Sequence, residues 1–162
     1  GEGPAHGDGP SGERGGVMAR IYVASSWRNP KHAEVVAALR HAGFEVYDYR
    51  NPKHGGWSET DRWWERAAYR PVVFPTVVGD VPERQLAFRT DMDALRCAEA
   101  VVLVLDSGKS AHLEAGYAAG AGKRLIVLGD EGQQPELMYG MADLITVSLE
   151  AAVEWLRFVE GV

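Results

Sequence analysis

Residues 98–127, AEAVVLVLDSGKSAHLEAGYAAGAGKRLIV, decide the fold. The segment begins with an apolar run, turns through Gly and Ser, continues as a helix of small and apolar residues, and ends in a second apolar run. Apolar runs of this kind are typical of strands buried in parallel sheets, so the segment predicts a strand, a helix and a second strand. Glu114 lies in the first turns of the predicted helix. A charged group on so apolar a helix is a candidate reagent.

Strands and helices alternate on both sides of this unit. Strands are expected at residues 20–24, 44–49, 100–105, 124–128 and 144–147, and helices at 30–41, 83–97, 110–121 and from 149 toward the C-terminus. A short helix is expected to begin near 58–61 and to carry Trp63 and Trp64, whereas residues 70–82 are expected to be mostly loop. The alternation predicts an α/β fold: a doubly wound, mainly parallel five-stranded sheet flanked by helices, of the flavodoxin or Rossmann type.

Three polar residues are predicted to cap helices, because their side chains can accept a hydrogen bond from the first free backbone amides. Asn29 precedes Pro30 at the start of the first helix, Ser110 precedes the Glu114 helix, and Ser148 precedes the last helix.

Length and composition predict one folded domain at residues 18–162, since 162 residues with 46% hydrophobic side chains can bury a sizeable core. Residues 1–17 are rich in Gly and Pro and are predicted to be a disordered tail. The net charge of -6, without a cluster of Lys and Arg, argues against a nucleic-acid partner. Without an apolar run of roughly 18 residues, no membrane span is predicted. The expected compartment is the cytoplasm.

The helix at 83–97 is predicted to bury Phe88, Met92 and Leu95 as a core stripe, and Cys97 is predicted to be buried as well. Asp91 shares its face with Phe88 and Leu95. Desolvation beside that stripe raises the pKa of a carboxyl group, so Asp91 is a candidate general acid, whereas Asp93 is expected to be an exposed charge.

Glu114 lies about one turn past the predicted Ser110 cap. The field of a helix N-terminus stabilises a carboxylate by roughly 0.3 to 1 kcal/mol, so the sequence predicts an ionised Glu114. An ionised carboxylate can act as a nucleophile.

Three loops are predicted to converge beyond the carboxyl ends of the strands, where ligands bind in doubly wound sheets: 25–29, 48–57 and 106–110. In the first loop Ser25, Ser26 and Arg28 form either an anion pocket or an ordinary polar turn. That loop lacks the glycine pattern of a Rossmann or P-loop turn, and no cofactor is predicted.

Two further side chains are candidates near these loops. Trp57 either stacks on a nucleobase or packs in a core or subunit interface. The histidines show no metal-ligand spacing, so no metal site is predicted. His112, two residues before Glu114, is retained as a candidate substrate contact.

With these residues assembled, the chain resembles the nucleoside 2-deoxyribosyltransferase family, which includes relatives that hydrolyse the N-glycosidic bond of nucleoside 5'-monophosphates. The resemblance covers about residues 20–147 and is carried by IYVA at 21–24 with the following Ser/Arg loop, by Asp91 with AEAVV at 98–102, and by HLEAGYA at 112–118 with Gly122 and Lys123. The E-x-G-x-A start of the Glu114 helix is its most specific motif.

The resemblance implies that Glu114 attacks C1' of the sugar, that Asp91 helps to protonate the departing base, and that Tyr22 orients the nucleophile. It also implies a 5'-phosphate site at Ser26, Arg28 and Ser110, with Gly108 in the turn before Glu114. The implied ligand is a small nucleotide or nucleoside. A homodimer or larger assembly is expected by analogy.

Two other functions remain open from the sequence. One is a nucleotide-binding sensor that lacks turnover, suggested by the altered turn at Gly108. The other is a glycohydrolase of NAD or a related dinucleotide, in which Trp57 or Trp64 would stack on a second ring.

Overall fold

A computed structural model describes residues 18–51 and 82–161. The predicted tail, the predicted short helix with Trp63 and Trp64, Trp57 and nearly all of the predicted loop at 70–82 lie outside the described residues.

The described elements alternate as the sequence predicts. In chain order they are β1 (Arg20–Ala24), α1 (His32–His41), β2 (Glu45–Tyr47), α2 (Pro82–Cys97), β3 (Ala100–Val104), α3 (Lys109–Gly120), β4 (Arg124–Leu128), a 3-10 turn (Leu137–Met141), β5 (Leu144–Thr146) and α4 (Leu149–Glu160).

The five strands form one parallel sheet in the order β2-β1-β3-β4-β5, with Ile21 opposite Ala100 and Val101 opposite Leu125. This is the flavodoxin-type order, in which the winding direction reverses between the first and third strands. The predicted doubly wound α/β fold is confirmed.

Successive residues of the central strands face opposite sides of the sheet, as the two-residue period of a strand requires. Val23, Val102 and Ile126 point into a core that includes residues of α1 and α4. Tyr22 and Val101 point into the other core, which includes residues of α2 and α3. Because both faces are covered by helices, the strands are continuously apolar, and β3 is buried at every position.

The predicted N-caps differ in outcome. Ser148 caps α4, since its side chain accepts a hydrogen bond from the Ala151 amide at 3.1 Å. Ser110 is not a cap: the N-cap of α3 is Gly108, and it offers no side-chain cap hydrogen bond. The N-cap of α1 is Lys31 rather than Asn29, because the Asn29 side chain instead accepts from the Lys31 amide and closes a turn before the helix.

Of the predicted core stripe of α2, Leu95 is buried and Met92 is partly buried against the same core, so those two predictions are confirmed. Ala87 and Leu95 are buried, with Asp91 between them at helical spacing, whereas Phe88 is 54% exposed. The prediction of a buried Phe88 was therefore wrong. Cys97, the last residue of α2, is also exposed, so the prediction of a buried thiol was wrong as well.

The loops after β1 and β3 are joined at the point where the winding reverses. The side-chain amide nitrogen of Asn29 donates to the Val104 and Asp106 carbonyls at 3.1 and 3.2 Å.

Ser26 makes two further bonds between the same loops. Its backbone amide donates to the Ser107 hydroxyl at 2.9 Å, and its side-chain hydroxyl accepts from the Gly108 backbone amide at 2.7 Å. These bonds fix one side of the crevice beyond the strand ends.

The loop after β2 holds the first loop from the other side. One Arg50 guanidinium nitrogen donates to the carbonyls of Ser26, Trp27 and Asn29 at 3.0, 2.6 and 2.9 Å. The described parts of the loops after β1, β2 and β3 therefore lie together, as predicted.

We expect Asn29→Ala to destabilise the protein by roughly 1 to 3 kcal/mol, because it leaves buried carbonyl groups without their donor. Asn29 is only 4% exposed, so water cannot replace the lost bonds without disturbing the loops. Urea unfolding measures the change. Gln134→Ala, a truncation of an exposed amide, is the control and should change stability by less than about 0.5 kcal/mol. Equal stability of the two variants would contradict this account of the loop junction.

Candidate active site

A cavity of about 480 Å³ opens beyond the carboxyl ends of β1 and β3, between α2 and α3. Its walls are mostly apolar, and two carboxylic acids, Asp91 and Glu114, face it from different helices. The lining residues are Tyr22, Ser25, Ser26, Trp27, Tyr49, Phe88, Asp91, Met92, Leu95, Gly108, Lys109, Ser110, Ala111, Leu113, Glu114 and Tyr117.

Glu114 reaches the cavity because of its position on α3. Ala111, Ala115 and Ala118 form the side of α3 buried against the sheet, and their small side chains let the helix lie close to it. Glu114 is next to this buried side and is itself partly buried.

Asp91 is held by a tyrosine from the sheet. The Tyr47 hydroxyl, at the end of β2, donates a hydrogen bond of 2.7 Å to Asp91 Oδ1. Tyr47 is not among the site residues predicted from the sequence. A signal was present, since Tyr47 lies opposite Tyr22 in the register of β1 and β2.

When one of the two carboxyl groups is ionised, its negative charge makes ionisation of the other less favourable. Burial, and secondarily the charge of Asp91, raises the pKa of Glu114 to about 8. Burial raises the pKa of Asp91 to about 6, although the bond from Tyr47 partly offsets that effect. Near neutral pH the pair therefore holds one proton between its two carboxyl groups.

The prediction of an ionised Glu114 was therefore wrong, because burial in this cavity raises the pKa of the carboxyl group. A helix N-terminus does favour a carboxylate, but by less than the desolvation of a group in a mostly apolar cavity costs. The predicted raised pKa of Asp91 is found, and its cause is burial, as expected.

Tyr22 lies beneath the two carboxyl groups. It is fully buried, and its ring stacks on that of Tyr47 with centroids 5.3 Å apart. Its hydroxyl makes no hydrogen bond of full geometry among the described residues. Burial, and then the charges of Glu114 and Asp91, raises the pKa of Tyr22, so the phenol stays protonated and has a hydrogen to offer.

The predicted phosphate contacts separate into two groups. Ser26, Gly108 and Ser110 line the cavity, together with Lys109, which the sequence analysis missed. Arg28 is exposed and is not among the lining residues. The uncapped N-terminus of α3 adds backbone amides directed toward the same end of the cavity.

His112 points away from the carboxyl pair. Its ring nitrogens are 2.8 Å from the Gly108 carbonyl and 2.8 Å from the Tyr139 hydroxyl, and it lines a separate, smaller cavity against the 3-10 turn. Trp57 lies outside the described residues.

A second polar group missed by the sequence analysis reaches the cavity from its Ser25 side. Ser25 and Tyr49 line the cavity, and behind them His32 and Asp48 are buried and hydrogen-bonded. His32 lacks metal-ligand spacing, and no group of three or more His, Cys, Asp or Glu side chains within 18–51 and 82–161 could hold a metal ion. Over the same residues, no helix is long and apolar enough to cross a membrane.

Comparison with known proteins gives structural similarity without sequence similarity. The sequence matches no protein-family model and no curated protein. A 2-deoxyribosyltransferase from Bacillus psychrosaccharolyticus is similar in structure, with a TM-score of 0.60, 18% identity, and coverage of 83% of this chain and 90% of that one.

Two further solved structures are similar. A conserved protein from Enterococcus faecalis V583 has a TM-score of 0.60 at 16% identity, covering 88% of this chain and 99% of that one. The CMP N-glycosidase BcmB of Clostridium botulinum has a TM-score of 0.50 at 15% identity, covering 85% and 98%. The chain thus has the fold of nucleoside 2-deoxyribosyltransferase-like proteins, as the resemblance implied.

The raised pKa of Glu114 predicts a pH-dependent gain in stability for Glu114→Gln. In the unfolded chain this carboxyl loses its proton near pH 4.5, but in the folded protein only near pH 8. Stability therefore falls as pH rises between these values, and the neutral amide removes that loss. We expect Tm to rise by roughly 2 to 5 °C at pH 9 and to change little at pH 4.5.

Thermal unfolding followed by circular dichroism at both pH values measures this difference. Glu131→Gln, at an exposed site, is the matched control and should behave like the unsubstituted protein at both pH values. A Tm difference for Glu114→Gln that is the same at pH 4.5 and pH 9 would contradict the buried, proton-holding carboxyl.

Proposed function

We propose that the protein cleaves or transfers the N-glycosidic bond of a nucleoside or nucleotide, with Glu114 as the nucleophile. The observation that carries this proposal is the pair of carboxyl groups, Glu114 and Asp91, facing one mostly apolar cavity from two helices. Two carboxyl groups that share one proton supply both a nucleophile and an acid, which are the two reagents that a retaining glycosyl transfer needs. The structural relatives include a deoxyribosyltransferase and a CMP N-glycosidase, which agrees with this chemistry.

The reaction has two displacements. In the first, a Glu114 carboxylate oxygen bonds to C1' of the sugar, the bond from C1' to the base nitrogen breaks, and the base takes the proton of Asp91. In the second, water or another base attacks C1', Glu114 leaves as a carboxylate, and the proton of the attacking group returns to Asp91. In this proposal the phenol of Tyr22, which stays protonated, donates to Glu114 and fixes its orientation.

The shared proton must lie on Asp91 when the first displacement begins. In the free protein it favours Glu114, whose pKa is the higher of the two. Moving the proton from Glu114 to Asp91 leaves the total charge of the cavity unchanged. The positive charge that develops at C1' in the transition state then stabilises the carboxylate form of Glu114.

The end of the cavity near α3 suits a 5'-phosphate. Ser26 and Ser110 supply hydroxyl groups, Lys109 a cation, and the start of α3 its free backbone amides. This favours a nucleotide over a nucleoside. Arg28, in the exposed part of the first loop, would reach such a phosphate only by changing its side-chain conformation.

A homodimer or larger assembly is part of the proposal. Large apolar side chains that line the smaller cavity remain exposed, and their burial in a subunit interface would be favourable: Leu137, Met138 and Met141. Sedimentation of the purified protein at micromolar concentration determines the assembly.

Replacing Glu114 with Ala is expected to lower base release by at least about 10³-fold, because Asp91, the other carboxyl group facing the cavity, already serves as the acid in this mechanism. The measurement is chromatographic detection of free base after incubation with ribo- and deoxyribonucleoside 5'-monophosphates, the corresponding nucleosides, and NAD. Glu131→Ala is the control and should retain full activity. Retained turnover in Glu114→Ala would contradict the proposal.

The same panel separates the alternatives. Nicotinamide release from NAD, with no release from monophosphates, would favour a dinucleotide glycohydrolase. Tight binding with no release from any compound would favour a sensor without turnover.

The dependence of kcat/KM on pH is expected to be bell-shaped, with limbs near pH 6 and pH 8. Below the lower limb both carboxyl groups are protonated and there is no nucleophile. Above the upper limb both are ionised and there is no acid to protonate the base.

Asp91→Asn should lower the rate by roughly 10²- to 10⁴-fold and should also remove the alkaline limb, because the proton donor whose loss causes that limb is gone. A profile in Asp91→Asn with the original alkaline limb would contradict these roles.

A further inference from the structure

A chain of three hydrogen-bonded side chains lies behind one wall of the cavity and has no part in the reaction described above. Ser25 Oγ is 2.5 Å from His32 Nδ1, and His32 Nε2 is 2.7 Å from Asp48 Oδ1. His32 is completely buried, and Ser25 and Asp48 are each 8% exposed. Ser25 also lines the cavity that holds Glu114.

The partners of Asp48 decide where the protons lie. Its carboxyl also accepts from the Arg50 amide at 3.0 Å and from the Asn51 side chain at 3.1 Å. Burial alone would raise the pKa of Asp48, but the bonds from His32, Asn51 and Arg50 outweigh it and hold the pKa below its usual value. An ionised carboxylate only accepts hydrogen bonds, so His32 Nε2 carries a hydrogen.

His32 is neutral, because burial lowers its pKa. In the neutral ring only one nitrogen carries hydrogen, so Nδ1 is an acceptor and the hydrogen between it and Ser25 belongs to the Ser25 hydroxyl. The aspartate thus sets the tautomer of the histidine, and the histidine sets the direction of the serine hydroxyl.

Tyr49 leaves this arrangement unchanged. Its hydroxyl donates to the Ser25 carbonyl at 2.7 Å, and its distance to Ser25 Oγ is longer, 3.3 Å. The Ser26 carbonyl is the other possible acceptor for the Ser25 hydrogen, but it is 3.5 Å from Ser25 Oγ, much farther than His32 Nδ1 at 2.5 Å. With the Tyr49 hydrogen used on the Ser25 carbonyl and the Ser25 hydrogen used on His32, Ser25 Oγ has only lone pairs to offer to the cavity.

The neighbouring serine has the opposite polarity. Ser26 Oγ accepts from the Gly108 amide at 2.7 Å, so its own hydrogen is available to a ligand. At neutral pH a phosphate carries hydrogen only in its monoprotonated form, so it binds mainly as an acceptor. Ser26 can donate its hydrogen to a phosphate oxygen, whereas the lone pairs of Ser25 repel it.

We propose that Ser25 is a specificity-determining acceptor that binds a hydrogen-bond donor of the substrate, a sugar hydroxyl or a base amino group, and that His32 and Asp48 are positioning residues that keep it an acceptor. This inference rests on the proposed function, because it assigns a substrate contact in the same cavity. It divides the first loop into an anion-binding residue, Ser26, and a donor-binding residue, Ser25.

Ser25→Ala tests the contact, measured as kcat/KM with a nucleoside 5'-monophosphate that the unsubstituted protein turns over and with its 2'-deoxy, 3'-deoxy and deaminated-base analogues. We expect a loss of roughly 10- to 100-fold with the parent compound and little change with the one analogue that lacks the bound donor. The analogue that is insensitive identifies the donor as a sugar hydroxyl or a base amino group. An equal loss with every analogue, or no loss with any, overturns the proposal.

Asp48→Asn tests the positioning role. The side-chain amide of the new residue can donate to His32 Nε2, so the ring hydrogen moves to Nδ1. Nδ1 then donates to Ser25 Oγ, and the Ser25 hydroxyl presents its hydrogen to the cavity in place of its lone pairs. We expect KM to rise for the parent compound but not for the insensitive analogue, and no further loss when Asp48→Asn is combined with Ser25→Ala. Asp93→Asn, at an exposed site, is the control. Losses that multiply in the double variant overturn the positioning role.

The two proposals fail in different ways. Turnover that depends on Glu114 but shows no selective effect of Ser25 contradicts only the acceptor. If the protein binds these nucleotides without turnover, calorimetric affinities of the same analogues replace kcat/KM, and selective weakening by Ser25→Ala supports the acceptor even though the proposed activity has failed. Weaker binding of inorganic phosphate by Ser25→Ala overturns the acceptor in either case. Since Ser25→Ala removes one hydroxyl, it gives an answer even if Asp48→Asn does not fold.

Discussion

The mutual destabilisation of two carboxylates in a mostly apolar cavity is the constraint on which this account depends. Glu114 and Asp91 come from different helices, and burial raises the pKa of both, with Asp91 raising that of Glu114 further. Tyr47 stabilises one ionised form and the Tyr22 phenol lies beside the other. A fold does not need this arrangement for stability, because two hydrophobic side chains would be cheaper to bury. The proposed glycosyl transfer, which needs an acid and a nucleophile together, accounts for it.

The rest of the molecule positions this pair. The winding of the sheet reverses between β1 and β3, and the crevice between α2 and α3 lies beyond the carboxyl ends of these two strands. Asn29 and Arg50 then hold the first loop against its neighbours by hydrogen bonds to carbonyl groups. Ser25 and Ser26 therefore lie on a loop that is held from both sides, next to the carboxyl groups that α2 and α3 carry.

The sequence was sufficient for the sheet and for the identity of the carboxyl pair, because the apolar strands and the charged residue on an apolar helix are local patterns. Prediction from the sequence failed for features that depend on packing between helices, strands and loops. On α2, Leu95 is buried as predicted but Phe88 and Cys97 are exposed, because helical periodicity alone does not set how far the buried face extends around and along the helix. The helix-end field around Glu114 is a local effect, whereas the stronger desolvation comes from residues distant in sequence. The hydrogen bonds joining Ser25, His32 and Asp48 likewise span separate elements.

The central claim is that Glu114 forms a covalent bond to the sugar, and intact-protein mass spectrometry after acid quench of a reacting mixture tests it most directly. A nucleotide that carries fluorine at C2' of the sugar slows both displacements and allows the intermediate to accumulate. The account predicts a mass increase equal to the sugar phosphate without its base, located on the peptide that contains Glu114 and absent in Glu114→Gln. Base release without any adduct, or an adduct on another residue, would contradict it.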